Sequence, residues 1–488
     1  MGRYQEIDLH AIARDTMAQY GFEPHFTPQI IEEVQRLDEG AHIQKEQSSL
    51  KDMRNLLWSS IDNNDSLDLD QLEYCELRPN GDIGVMVAIA DVDSFVPKGE
   101  QIDSHAANNT SSIYTGIEVF PMLPVRLSTD LTSLKQDSDR IAIVIEYSVP
   151  PDGKIHTESV YRALVRNKAK LNYGDIGNYL EGKTIIPESV RRIPELEEQI
   201  RLQDEAADRL IHFRMEHGSL ELNTLEASPI IQNNKVIGLE PIHHNKARNL
   251  IENFMVAANR TMVNFLENAN TPMIQRIVRE PKEWDRIRQI AFEHNEMLPN
   301  KPEAKALQQF LLRQKKANPE RFTDLSLTIV KLLGSGEYVM LEPDKKPYGH
   351  FGLAVTDYTH ATAPNRRFVD VIIQRIVKSV LSSKKSPYTK EELVDHSTNC
   401  TAREKAAKKV ERFMRKAAAA ALLEDKIGKI FEGIVTGASR KGYYARIIDP
   451  PVEGRVISRN EDLFVGQKVQ VKLVYLDPYR GYIDFERI

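Results

Sequence analysis

Ser59-Ser60-Ile61-Asp62-Asn63-Asn64-Asp65-Ser66-Leu67-Asp68-Leu69-Asp70-Gln71 puts four aspartates within nine residues, just after a short apolar run. Asp68 and Asp70 are two apart, so in an extended segment both face one side, and the intervening Asn, Asp and Ser favour a turn that brings Asp62 back towards them. Carboxylates at roughly 4 Å repel by about 4 kcal/mol per pair at an effective dielectric near 20, so such a cluster takes up protons or holds a divalent cation. Oxygen donors without His or Cys suit Mg²⁺ or Mn²⁺ better than zinc. The alternatives are a solvated acidic turn and a calcium loop. A calcium loop requires a glycine at its sharp turn and a closing bidentate Glu, and this stretch has neither.

Upstream, residues 8–20 have helical spacing and stop at Gly21, and Thr27 reads as an N-cap with Pro28 at the first helical position of a segment ending near Leu37. Two short helices invite a helix-turn-helix reading. The second carries a single arginine among Ile30–Arg36, which favours packing over DNA contact. Downstream, from Leu56 to Val149, short apolar runs bounded by turn residues predict strands, among them Ile83 to Ala90 and Ile141 to Val149. Helical spacing follows over 187–217, 244–269, 281–298 and 302–316. Pro364-Asn365-Arg366-Arg367 opens a further helix whose Val369, Ile372, Ile373, Ile376, Val377, Val380 and Leu381 recur at i, i+3, i+4 and i+7. After Gly428 five short β-rich runs fit in under 60 residues, the size of an OB-type barrel, with Arg440, Lys441, Tyr443, Tyr444 and Arg446 mixing aromatics and cations as stacking on single-stranded bases requires. The fold class is therefore α+β with a C-terminal OB-fold barrel. Its divisions are a helical arm over 1–50, a large mixed body over 51–427 and the barrel over 428–488.

The 488 residues are 41% hydrophobic and 28% charged, with a formal net charge of −6, as in an ordinary globular protein. No apolar run long enough to span a membrane and no charged-then-apolar leader is present, so the expected location is cytoplasmic, without membrane attachment. Cys75 and Cys400 lack metal-ligand spacing and are expected as buried thiols. Between Thr401 and Lys429 nine Lys/Arg face four acids; beside an acidic metal cluster this basic helix becomes a candidate phosphate track. No nucleophile elbow, P-loop or dinucleotide fingerprint occurs, so no nucleotide cofactor is expected.

Several blocks in order resemble the RNase II/RNase R family of 3′-to-5′ exoribonucleases, whose catalytic domain is called RNB. The Ser-Ile-Asp…Asp-Leu-Asp segment is similar to the family's metal-binding aspartate motif. Val87-Ala88-Ile89-Ala90-Asp91-Val92 and Phe120-Pro121-Met122-Leu123-Pro124 resemble two further blocks, and Gly349–Ala354 with Tyr358–Phe368 resembles its most distinctive stretch. The C-terminal segment looks like an S1 domain. The resemblance implies an RNB-type body with an S1 barrel, a single-stranded RNA substrate, and hydrolysis to nucleoside 5′-monophosphates with two Mg²⁺ ions, Mn²⁺ being a substitute. It implies metal ligation by Asp62, Asp68 and Asp70, with Gln71 at the fourth ligand position, and a catalytic role for Arg366 beside them. It further implies RNA contacts from Tyr114, Phe213, Glu252, Arg367 and Glu411, and from Lys441, Tyr443 and Tyr444 on the barrel. Three departures stand out: Gln71 replaces a fourth aspartate, Asn365 replaces an apolar residue, and about 50 residues precede the RNB-like region where a pair of cold-shock barrels is common. The expected rival is an RNA-binding protein of this fold with weakened catalysis, motivated by Gln71.

Overall fold

Ile83–Ala90 has no exposed residue, the mark of a strand covered on both faces, and it is the middle strand of a seven-stranded sheet. The order across that sheet is Lys51–Asp52, His156–Arg166, Asp139–Val149, Ile83–Ala90, Gln71–Leu77, Ser59–Asp62, Ala169–Asn172. All neighbours are antiparallel except the two edge pairs. The computed structural model describes residues 7–223, 227–232, 235–241, 244–439, 442–457, 463–464 and 466–488. Helices Leu196–Glu216 and Lys246–Asn268 pack on each other and on the sheet. Phe368–Leu381 docks where Ile83–Ala90 ends, with Gln374 Nε2 donating to the Ala90 carbonyl at 2.6 Å.

The apolar patterns expected as helices are helices, with shifted ends. The 187–217 pattern is split into Glu188–Arg191 and Leu196–Glu216, because Pro194 cannot donate a helical hydrogen bond and Glu195 takes a left-handed φ of 65°. In the arm, Thr27 caps Pro28–Gln35 by accepting from the Ile30 amide. A third arm helix, Glu39–Glu46, was not expected. Nor were helices Gln101–Asn109, Tyr173–Leu180 and Pro319–Leu333.

Lys390–Leu422 is a 33-residue helix opened by a reciprocal Thr389–Glu392 capping box. Its buried positions serve three apolar clusters in turn: Leu393 and Cys400 in the sheet core, Ala407, Val410, Met414 and Ala417 with the arm helix Leu9–Gln19, and Ala419 and Ala420 with the barrel. That barrel is closed by five strands, Ile430–Ser439, Gly442–Ile447, Glu453–Ile457, Tyr482–Arg487 and Lys468–Asp477, in that order. Cys75 and Cys400 are buried free thiols; burial pushes Cys400 up to about 12. Among the described residues no helix is long and apolar enough to cross a membrane.

Candidate active site

The aspartate motif is strapped in place residue by residue. Ser133 Oγ donates to the Leu67 carbonyl at 2.6 Å and accepts from the Leu69 amide at 3.1 Å, and the Leu134 amide donates to the Leu69 carbonyl. The Asp70 carbonyl takes the Ala90 amide at 3.0 Å. With its backbone fixed on both sides, Asp70 is only 2% exposed, and its carboxylate points into the turn at Pro364–Arg366. There Oδ1 accepts from the Asn365 amide at 2.9 Å and Oδ2 from Arg366 Nε at 3.2 Å. Burial nevertheless pushes the Asp70 carboxyl up to about 7, with the charges of Asp68 and Asp370 adding to the effect and Arg366 opposing it.

Asp68 is raised in the same direction, first by burial and then by Asp62, while Arg366 and the Tyr114 hydroxyl oppose. That hydroxyl donates to Asp68 Oδ2 at 3.3 Å, and the Tyr114 amide donates to Glu411 Oε1 at 3.4 Å. Thus Asp68, Asp70, Tyr114, Arg366 and Glu411, drawn from distant parts of the chain, share one site. Asp62 stands at the end of Ser59–Asp62, where its Oδ1 accepts from the Asn63 amide at 2.7 Å and Ser66 Oγ at 2.9 Å. One of its oxygens is therefore taken by its own turn.

Arg366 departs from expectation. It lies before the helix, not in its first turn, because the amides of Arg366 and Arg367 both turn back to the Ala363 carbonyl and Phe368 is the first helical residue. Among the described residues Arg366 makes no ion pair with Asp370, although the two stand four residues apart. Asp370 instead takes the Ala363 amide at 2.7 Å and Arg367 Nη2 at 2.9 Å. Arg366 is left half-exposed, and among the described residues only its Nε is engaged by a carboxylate. Asn365 is wholly buried, its Oδ1 accepting from Thr132 Oγ1, while its Nδ2 has no partner among the described residues.

The remaining expected residues scatter. Glu252 is exposed, 3.9 Å from Arg214, in a cleft shared with Asn249 and Lys246. Phe213 lines a different cleft with Pro151 and Arg209 and stacks on His217 at 4.1 Å, so it is not brought to Tyr114. Arg367 is half-buried against Asp370. Tyr443 packs on the barrel core, and Tyr444 lies across the strand pair from Arg455. Arg446, read as a cation for RNA, pairs with Asp324 of helix Pro319–Leu333 at 3.3 Å. Lys441 and Arg440 lie outside the described residues. Gln71 is buried at the start of its strand, opposite Ile89, and its side chain makes no hydrogen bond among the described residues.

His350 and His360 are held neutral: burial lowers the first to about 4 and the second well below the usual range. Residues that sequence reasoning missed include Ser133, which straps the motif, and Arg248, whose Nη2 donates to Asn63 Oδ1 at 2.7 Å while its guanidinium covers the Tyr173 ring. Neither carries a local signal, since each is defined by a partner far along the chain.

Among the described residues no three His, Cys, Asp or Glu side chains form a group that could hold a metal ion. The donor chemistry nonetheless fits a hard cation at Asp68 and Asp70. Both are oxygen donors held above the usual carboxylate range by burial, a state that a divalent cation relieves.

At one end of a mixed sheet a buried Asp70 and a half-buried Asp68 lie under an arginine turn, and a closed barrel follows beyond a long helix. The chain belongs to the RNB family: the RNB domain model matches residues 50–383, and the model described as the RNase II-type exonuclease C-terminal S1 domain matches 429–488. Ribonuclease R of Escherichia coli (strain K12) is 28% identical over 91% of this chain and 56% of its own length. Ribonuclease R of Thermotoga maritima is 28% identical over 89% of the chain and 64% of its own length, so the chain spans between half and two thirds of these relatives. The Mycoplasma genitalium RNase R in complex with ribose methylated single-stranded RNA has a TM-score of 0.88 at 22% identity, covering 99% of this chain and 78% of that one. Yeast Ssd1, described as a pseudonuclease, has a TM-score of 0.67 at 15% identity, covering 97% of this chain and 57% of that one.

Proposed function

We propose that this protein is a Mg²⁺-dependent 3′-to-5′ exoribonuclease that hydrolyses single-stranded RNA to nucleoside 5′-monophosphates, with Mn²⁺ as a substitute. The observation that carries the reading is the half-exposed Arg366 guanidinium anchored at Nε by the buried Asp70, with Asp68 and Tyr114 alongside. Anchored at one nitrogen, the guanidinium keeps its two Nη groups for a phosphate and meets charge that develops on the phosphoryl oxygens. Asp62, Asp68 and Asp70 would hold the cation, and Gln71 would offer a neutral oxygen. Mg²⁺, when bound, supplies activation of water and charge stabilisation at the attacking and leaving oxygens.

The exposed Tyr114 ring offers a stacking surface for a terminal base, and the carboxylates of Glu411 and Glu252 can accept from ribose 2′-hydroxyls, which distinguish RNA from DNA. Both histidines of the 350–360 stretch are half-buried and held neutral, so neither is assigned this role. The second reading is a non-catalytic RNA-binding protein, favoured by Gln71 and by the likeness to a pseudonuclease.

A time course on 3′- and 5′-labelled single-stranded RNA, with Mg²⁺ and with chelator, separates the two. Stepwise loss of the 3′ label with the 5′ label shortening progressively, abolished by chelator and by Asp70→Asn while RNA affinity persists, is the expected result. Unchanged turnover in Asp70→Asn would sink the assignment of the site, and absence of turnover in the unaltered chain would favour the second reading.

A further inference from the structure

Tyr114 rides on a hairpin of two-residue strands, Ile113–Tyr114 and Val119–Phe120. Even a longer isolated hairpin is marginal in water, so this one depends on its surroundings. Its turn is closed by Thr115, whose Oγ1 donates to the Glu118 carbonyl at 2.6 Å and accepts from the Glu118 amide at 3.0 Å. Gly116, at a φ of 80°, sits where a Cβ would meet Pro229 at 2.8 Å, so one side of the turn is walled.

The other side is held by the N-terminal arm. Ile113 and Phe120 are buried in one apolar cluster with Leu9, Ile12 and Met17 of the arm helix Leu9–Gln19 and with Val410 of the long helix. At the turn, Glu118 Oε2 lies 3.1 Å from His10 Nδ1 and 3.7 Å from Arg14 Nη2. The arm is itself fixed to the body, because Arg403 of the long helix donates to the Gly21 carbonyl at 2.7 Å and to Asn108 Oδ1 at 2.8 Å.

We propose that the arm helix Leu9–Gln19 is a positioning brace for Tyr114, its apolar face and its His10 and Arg14 holding the hairpin so that the phenol stays on Asp68 beside Arg366. Resting on the exoribonuclease reading for what Tyr114 does, the brace sets how productively the last nucleotides are held, and therefore where degradation stops. Arg14 and Glu118 are positioning residues here, since neither reaches the aspartates.

The test uses the full chain. Glu118→Arg sets a guanidinium against Arg14, and the double variant Arg14→Glu with Glu118→Arg restores attraction with the charges exchanged. Amide exchange across residues 112–120 without RNA should quicken by about three- to tenfold in the single variant and return in the double. On short labelled RNA, kcat should fall with KM little changed and the final product should lengthen, both recovering in the double variant. Unaltered exchange in Glu118→Arg would overturn the brace, and so would faster exchange with unaltered kcat and product length. The exchange measurement needs no turnover, so a chain that proves inactive refutes the exoribonuclease reading separately.

Discussion

Asp70 keeps a proton that the unfolded chain has released. Its carboxyl lies near 7 in the fold against an ordinary 3.8, so between those values the unfolded state binds fewer protons and stability falls as pH rises, by at most about 1.4 kcal/mol per pH unit from this group. Asp70→Asn removes the titration. In chelator, the urea midpoint of the unaltered chain should fall from pH 5 to pH 7.5 more steeply than that of the variant; equal slopes would mean that Arg366 neutralises Asp70 fully. Gln71 gives the complementary test. If it lies in the cation's coordination sphere, Gln71→Asp adds a charged oxygen and should tighten Mg²⁺ binding measured by calorimetry, while like-charge repulsion lowers the melting temperature of the metal-free form. Identical affinities would place Gln71 outside that sphere and leave the three aspartates to suffice. The motif itself was legible, because so dense a run of aspartates has few structural explanations. Its setting was not, because the amide that orients Asp70 comes from Asn365, 295 positions away.

Elements were readable where packing imposes a period and obscure where polar contacts hold them. Ile83–Ala90 is a buried strand and announces itself as an unbroken apolar run. Gln101–Asn109 has no such stripe. It is held by His105, whose Nδ1 lies 2.9 Å from Glu23 Oε2, and by Asn109, which exchanges hydrogen bonds with the Glu23 backbone, partners that local sequence does not reveal. The basic stretch of Lys390–Leu422 shows the same division within a single helix. Arg403 is turned onto the arm, Lys408 pairs with Glu404 at 2.8 Å, and Lys409 covers the Tyr20 ring. Lys405 and Arg412 are exposed and carry no such ties among the described residues. Replacing either with Ala should weaken RNA binding and lower the slope of log affinity against log salt by about 0.7 for each phosphate no longer neutralised. Arg403→Ala should instead lower the melting temperature with little effect on that slope. Titrations at several salt concentrations decide it, and equal slopes for Lys405→Ala, Arg412→Ala and the unaltered chain would remove the helix from the RNA path.

At the scale of the whole molecule, one helix joins parts that otherwise have separate cores. Sheet, arm and barrel each own an apolar cluster, and Lys390–Leu422 contributes buried residues to all three in succession. The barrel has two smaller ties, Leu239 packed against its core and the Arg446–Asp324 ion pair to helix Pro319–Leu333, and a single partly exposed pair of this kind contributes only about 0–1 kcal/mol. Cooperativity between the body and the barrel should therefore run through the helix. Ala407→Pro is a direct test, since Ala407 is buried mid-helix at the arm cluster and proline there removes a backbone donor and clashes with the preceding turn, costing about 3 kcal/mol or more. The expected outcome is that unfolding separates by region: protease cuts and fast amide exchange should appear first in the arm and the Tyr114 hairpin, then in the barrel, at lower urea than in the unaltered chain, while Ile83–Ala90 and its neighbours stay protected to a higher urea concentration. If all regions of the variant still unfold together, the sheet body and barrel are coupled by other contacts, and the helix is only one of several bonds between them.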